Sequence, residues 1–440
     1  MPGAPSPPAL PPADARAAAD RRAATGVAGL DRILGGGLPA GESYLVHGAP
    51  GTGKTVLGLH FLLEGARRGE TGLFFSVTQR PADLARSARS HGWTLDPPTG
   101  AAPGGRVVVH QLAADAAEDP AGQVLFRTAD VELGEVLREV TAVLDRVRPT
   151  RIVFDAVAEL RFLARDPVRF ERELFALRAL FDASGATVLL TDGRPGPADG
   201  VEGGELAHIA HGVLALEHAP TELGTDVRRL RVVKVRGLAY REGHHDFRIT
   251  DAGLVVHPRL AADDVQDVAG AARTAHGAED AGAQLPSGVA SLDALLGGGL
   301  AAGTSCLIVG PSGTGKSTTA TVYACAAAAR GQRVALFLFE ERPATVLRRS
   351  DGLGLPLRAH VTDGRVALTP VSTGQLTPGE FADAVRRQVT ERGVALVVID
   401  SLTGYLSAMG NARLLMTQLH DLLQYLSAHG VLTLLVVAQH

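Results

Sequence analysis

At 440 residues the chain is longer than one average domain and suits two or three. A hydrophobic share of 45% can fill several cores, and a net charge of −4 gives no global electrostatic reason to expect nucleic acid as a partner. Two cysteines, Cys306 in what reads as a buried strand and Cys325 in the helix after it, make neither a disulfide framework nor a metal knuckle, which points to a reducing cytoplasm, and no run approaches the roughly 18 apolar residues of a membrane span.

Residues 1–22 open the chain as a Pro/Ala-rich tail with no basic or apolar signal-peptide region, and they read as disordered. The first domain is expected over residues 23–260. An extended run, Ser43-Tyr44-Leu45-Val46, leads into Gly48-Ala49-Pro50-Gly51-Thr52-Gly53-Lys54-Thr55 and then a helical run from Val56 to Leu63. Strand, glycine-rich loop and helix in that order are the context of a phosphate-binding P-loop. Glycines let successive backbone N–H groups turn inward as an anion nest. In that setting Lys54 reaches the outer phosphates and Thr55 offers its hydroxyl to Mg²⁺.

Next comes an apolar strand, Leu73 to Val77, which runs into Thr78-Gln79-Arg80-Pro81, and Trp93 is expected in the core beneath the following helix. A later strand, Arg151-Ile152-Val153-Phe154-Asp155, delivers an acid at its C-terminal end, the pattern of a Walker B carboxylate that holds Mg²⁺. A helix from Phe170 to Asp182 and a strand from Ala186 to Thr191 follow. Glu205, His208 and His211 fall at metal-ligand spacing, but no third cluster accompanies them and they read as packing residues. His244-His245 read as a hairpin turn before an antiparallel pair that includes Asp246 to Thr250.

Residues 261–284 are Ala/Asp/Gly-rich and read as a linker to a second domain, residues 285–440. That domain repeats the first. Thr25-Gly26-Val27 and Leu34-Gly35-Gly36-Gly37-Leu38 recur as Ser287-Gly288-Val289 and Leu296-Gly297-Gly298-Gly299-Leu300, an offset of 288 − 26 = 262. The same offset carries the P-loop onto Gly310-Pro311-Ser312-Gly313-Thr314-Gly315-Lys316-Ser317. Leu396 to Asp400 repeats the acid-ending strand at an offset of 400 − 155 = 245, which gives Ser317 and Asp400 the Mg²⁺ roles of Thr55 and Asp155. The chain is a tandem duplication of an α/β NTPase unit.

The copies differ where the second strand ends. Glu340-Glu341-Arg342-Pro343 stands where the first copy has Thr78-Gln79-Arg80-Pro81. A carboxylate near the γ-phosphate can polarise the attacking water, whereas Gln79 can orient water but cannot accept its proton. Glu340 and Glu341 are therefore the catalytic candidates, and the first copy is expected to bind nucleotide and turn it over slowly, if at all.

Thr25-Gly26-Val27 with its glycine run, the P-loops, Glu340-Glu341-Arg342-Pro343 and Ile399-Asp400-Ser401-Leu402-Thr403-Gly404-Tyr405-Leu406 resemble the KaiC family. The resemblance implies two RecA-like P-loop domains, each a mostly parallel sheet flanked by helices. It also implies ATP with Mg²⁺ and a homo-oligomer, a hexameric ring with nucleotide between subunits. Lys234-Val235-Arg236-Gly237 looks like the family's Lys-x-Arg-Gly element, which supplies positive charge to the neighbouring subunit's γ-phosphate. Ser90 and Ile249-Thr250-Asp251 match positions near base and ribose, while Leu238 and Tyr240 depart from the polar residues usual there. At the 245 offset a complete second copy would end near 258 + 245 = 503, so the second domain is expected to be C-terminally incomplete.

The function this implies is a signalling or timing ATPase, with hydrolysis mainly in the second domain and nucleotide-driven assembly in the first. A serine/threonine autokinase and a nucleotide-gated scaffold without turnover are the alternatives. A DNA recombinase or helicase would need a basic pore loop, and neither copy shows one.

Overall fold

In the first copy, apolar residues alternate between the two faces of each strand. Tyr44 and Val46 join a core with Leu57, Phe61 and Leu62, which lie on the helix after the P-loop. Leu45 and Phe75 join the opposite core with Val140, Leu174 and Phe181. Period-two alternation with apolar residues on both sides is what a sheet covered on both faces requires. The computed structural model describes residues 21–112, 133–163, 167–193, 204–220, 226–260, 264, 283–372, 376–408 and 412–438. Nearly all of the expected tail and linker lies outside the described residues.

The chain divides into two compact units, one of Met1–Ala219 with Arg228–Pro258 and one of Arg259–His440 with Pro220–Val227. The first unit's main strands are β1 (Ser43–Gly48), β2 (Thr71–Ser76), β3 (Arg106–Gln111), β4 (Arg151–Asp155), β5 (Thr187–Asp192), β6 (Gly212–Pro220), β7 (Asp226–Val235), β8 (His244–Thr250) and β9 (Gly253–His257). They form one sheet in the order β9-β8-β7-β6-β1-β5-β4-β2-β3. From β6 across to β3 neighbouring strands run parallel, and β7, β8 and β9 pair antiparallel. Helix α1 (Lys54–Arg67) packs on one face, and α2 (Pro81–Ser90) follows β2.

The second unit has β10 (Ser305–Gly310), α3 (Lys316–Ala329), β11 (Arg333–Leu338), α4 (Pro343–Gly352), β12 (Val366–Pro370), β13 (Val394–Asp400) and β14 (Leu432–Ala438). Its sheet order, β10-β14-β13-β11-β12, repeats β1-β5-β4-β2-β3 of the first unit and is parallel throughout. The fold is α/β, with one RecA-like core in each copy.

Two expectations need correction. Cys306 is expected in a buried strand, but among the described residues β10 has one partner strand, and Leu307 is 53% and Val309 49% exposed. Its counterpart β1 is buried along its whole length, because β6 covers its other edge. His244-His245, read as a turn, instead start β8 opposite Arg231 and Leu230, and the turn falls one residue earlier at Gly243, where φ is +95°.

Candidate nucleotide sites

Each P-loop leaves the C-terminal end of a strand. A Cβ on Gly48 would lie 2.3 Å from the Leu216 carbonyl oxygen and 2.8 Å from Thr52 Oγ1, so only glycine fits there. Gly51 and Gly53 take φ of +81° and +102°, the left-handed region in which glycine is unstrained. Ala49 and Pro50 are exposed, and buried Thr52 donates from Oγ1 to the Ala49 carbonyl at 2.8 Å. Lys54 Nζ folds over the loop and donates to Gly48 O at 2.7 Å and Ala49 O at 2.9 Å. Burial pulls its pKa down, while Asp155 and Asp192 oppose that. Thr55 Oγ1 donates to Asp155 Oδ2 at 2.8 Å, and Thr191 Oγ1 donates to the other oxygen, Oδ1.

The second loop repeats this geometry. Gly313 and Gly315 have φ of +83° and +89°, and Gly310 has no room for a side chain beside Thr314 Oγ1, 2.9 Å from its would-be Cβ. Thr314 Oγ1 and Lys316 Nζ donate to the Pro311 carbonyl at 2.9 and 2.7 Å, and Ser312 is exposed. Burial raises the Asp400 pKa, and the Ser317 side-chain hydrogen bond counters it. Each copy therefore sets a hydroxyl against an aspartate at the loop's exit. That hard-oxygen pair fits Mg²⁺, which takes one or two protein carboxylates and fills its octahedron with phosphates and water. No group of three or more His, Cys, Asp or Glu side chains placed to hold a metal occurs among the described residues.

Beside the second loop, Glu340 Oε1 accepts from Ser401 Oγ at 2.5 Å, and Ser401 Oγ accepts from the Gly404 N–H at 3.0 Å. Arg349 Nη1 donates to both oxygens of Glu341, at 2.5 and 2.6 Å. Both acids act electrostatically on Asp400, as does Arg349. In the first copy Thr78 and Gln79 are exposed, and the Gln79 N–H is taken up by Ser76 Oγ at 2.9 Å. Ala156 stands at the position matching Ser401 (401 − 245 = 156), and Ser87 at that matching Arg349 (349 − 262 = 87). Each acid thus disappears together with its partner.

The other expected nucleotide residues divide into two groups. Ser90 Oγ donates to the Ser87 carbonyl, and its neighbour His91 bonds through Nδ1 to the Thr250 carbonyl at 2.9 Å. Ile249 packs on Gly53, its Cδ1 2.9 Å from where a Cβ would be. Ser90, Thr250 and exposed Asp251 therefore gather beside the first P-loop. Lys234 Nζ donates to the Ala207 carbonyl at 2.5 Å, while Arg236 is exposed and its backbone N–H donates to the His211 carbonyl at 3.1 Å. Val235 between them is buried. His211 holds Glu42 Oε2 at 3.1 Å and the Arg236 carbonyl at 2.9 Å, a structural role.

Sequence reasoning missed Thr191 as second holder of Asp155, and it missed the buried His47–Asp192 pair, 3.4 Å apart beside the first loop. It also missed that Arg349, in the last turn of α4, turns its side chain back to Glu341. The available signal was the joint exchange of Glu341 for Gln79 and Arg349 for Ser87.

A P-loop at the end of β1, an acid-ending strand two places along the sheet and a helix starting from the loop define a P-loop NTPase with a RecA-like core, present twice. The family model described as "ATPase: KaiC" matches residues 23–261 and 285–440, and the chain belongs to that family of ATPases. It is 28% identical over 395 residues to the circadian clock oscillator protein KaiC of Synechococcus elongatus, covering 88% of this chain and 71% of that relative. It is likewise 28% identical over 394 residues to KaiC of Prochlorococcus marinus (strain MIT 9313), covering 86% and 72% of the two chains. Against KaiC of Parasynechococcus marenigrum the identity is 29% over 392 residues, covering 86% and 70%. No helix among the described residues is long and apolar enough to cross a membrane.

Proposed function

We propose that the chain binds and hydrolyses ATP as a KaiC-like signalling or timing ATPase, with hydrolysis mainly in the second unit and nucleotide-dependent assembly in the first. The observation that carries this is the asymmetry of the second strand's end. Glu340 and Glu341, each held by a polar partner, border the second loop, and Thr78 and Gln79 border the first.

In both units the P-loop backbone and lysine cradle the phosphates. Thr55 with Asp155, and Ser317 with Asp400, would hold Mg²⁺. An ion held there would supply charge neutralisation to the phosphates. In the second unit a carboxylate of the acid pair accepts the water's proton as oxygen attacks phosphorus, and the ADP oxygen leaves. In the first unit Gln79 orients water without taking its proton, so nucleotide persists. Ser90, Thr250 and Asp251 border the base and ribose. Lys234 and exposed Arg236, in the Lys-x-Arg-Gly element, serve the neighbouring subunit's γ-phosphate in a homo-oligomeric ring.

The kinase reading would use Ser401 or Thr403 as acceptor. Ser401 is only 3% exposed and already donates to Glu340, which favours hydrolysis over transfer to it. Changing Glu340→Gln and Glu341→Gln together should lower phosphate release by about 10²-fold or more, the scale of one general base. Undiminished turnover in that double variant would show that these acids are not the source of hydrolysis.

A further inference from the structure

The two acids of the second unit are treated differently by their surroundings. Glu340 is exposed and meets one hydroxyl, Ser401 Oγ, at Oε1. Glu341 is half-buried, and both of its oxygens are taken by one guanidinium nitrogen of Arg349, at 2.5 and 2.6 Å. A carboxylate held in this way has one lone pair on each oxygen engaged by a cation and its direction fixed, because a charge-assisted bond is among the strongest a side chain makes. Arg349 comes from the last turn of α4, so the pair also ties that helix to the end of β11. Glu340, Glu341 and Arg349 all act electrostatically on Asp400. Among those three, Arg349 is the cation that opposes the two acids.

We propose that Arg349 is a positioning residue for hydrolysis in the second unit: by clamping and neutralising Glu341, it leaves Glu340 as the proton acceptor for the attacking water. This rests on the reading that the second unit hydrolyses ATP through its acid pair. The first copy supports it independently. There both members of the clamp are exchanged at once, Glu341 for Gln79 and Arg349 for Ser87, as expected if Arg349 serves Glu341 rather than helix α4 itself.

Without Arg349, Glu341 becomes an unneutralised anion adjacent to Glu340 and opposes ionisation of the base, since like charges raise a carboxylate's pKa. In the full-length chain, Arg349→Met should move the acid limb of kcat for phosphate release up by about one pH unit. KM for ATP should rise several-fold through the added negative charge. Arg349→Lys, which keeps the charge, should restore most of the shift. Glu341→Gln combined with Arg349→Met should return the limb to its wild-type position, because the anion is gone. An unmoved limb in Arg349→Met, or a shift that persists in the double variant, overturns the proposal. Should Arg349→Met fail to fold, Glu341→Gln alone decides: it leaves Arg349 an unopposed cation beside Glu340, so the acid limb should move below its wild-type position, and an unmoved limb refutes the role. Glu340→Gln separates the two levels of the account. Intact turnover in that variant sinks hydrolysis by this acid pair itself, while lost turnover beside an unmoved limb in Arg349→Met sinks only the role of Arg349.

Discussion

His60 couples pH to the stability of the first nucleotide site. It lies on α1, 8% exposed, against the edge of Trp93 at a centroid distance of 4.6 Å. Its Nε2 accepts from the Leu254 N–H at 2.9 Å, which pins the β8–β9 hairpin carrying Thr250 and Asp251 to the P-loop helix. An accepting nitrogen cannot carry a proton, and burial, helped by Arg67 and His91, lowers the His60 pKa from 6.5 to about 4. The folded state therefore binds this proton less readily than the unfolded chain. His60 contributes its full stability above pH 6.5, and that contribution is lost as pH falls toward 4. The whole gap is worth about 3 kcal/mol, of which about 2 kcal/mol is gone at pH 5. Denaturant unfolding of wild type and His60→Gln at pH 7 and pH 5 isolates this contribution, because other titrating groups are common to both. Wild type should lose about 2 kcal/mol more than the variant between the two pH values. An equal loss in both proteins would refute the reasoning.

Two further perturbations follow from the site geometry. Gly48→Ala places a methyl 2.3 Å from the Leu216 carbonyl, so ATP retention by the first unit should fall at least tenfold in equilibrium dialysis, with phosphate release largely kept. Asp155→Asn removes the carboxylate that Thr55 and Thr191 hold, so Mg²⁺-dependence of nucleotide retention in the first unit should weaken, while turnover, which depends on Asp400, should change less than about twofold.

Much of this molecule is written locally in its chain. The P-loops and the acid-ending strands are contiguous, and their glycines answer to backbone conformations that other residues adopt only with strain, so both were legible along with the doubling. The supporting partners were not. Ser401 reaches Glu340, Thr191 reaches Asp155 and Arg349 reaches Glu341 because strands adjacent in the sheet, or a helix turning back onto one, bring their side chains together. Hydropathy patterns carry no record of such pairings. The exposure of β10 also escaped the sequence: the strand holding Cys306 reads as buried, and only strand order reveals that nothing described lies beside the edge where Leu307 and Val309 are exposed. For His244-His245, Gly243 takes the turn and His245 is buried with its Nε2 bonded to the Arg241 carbonyl at 3.1 Å, so tertiary packing overrode the polar look of the pair.

The division of labour between the two P-loops is tested most directly by measuring phosphate release together with ATP-dependent particle size for wild type, Lys54→Ala and Lys316→Ala. Lys316→Ala should abolish most of the release while assembly with ATP persists, and Lys54→Ala should impair assembly while the remaining chain still hydrolyses ATP. Release that follows Lys54 and assembly that follows Lys316 would contradict the account.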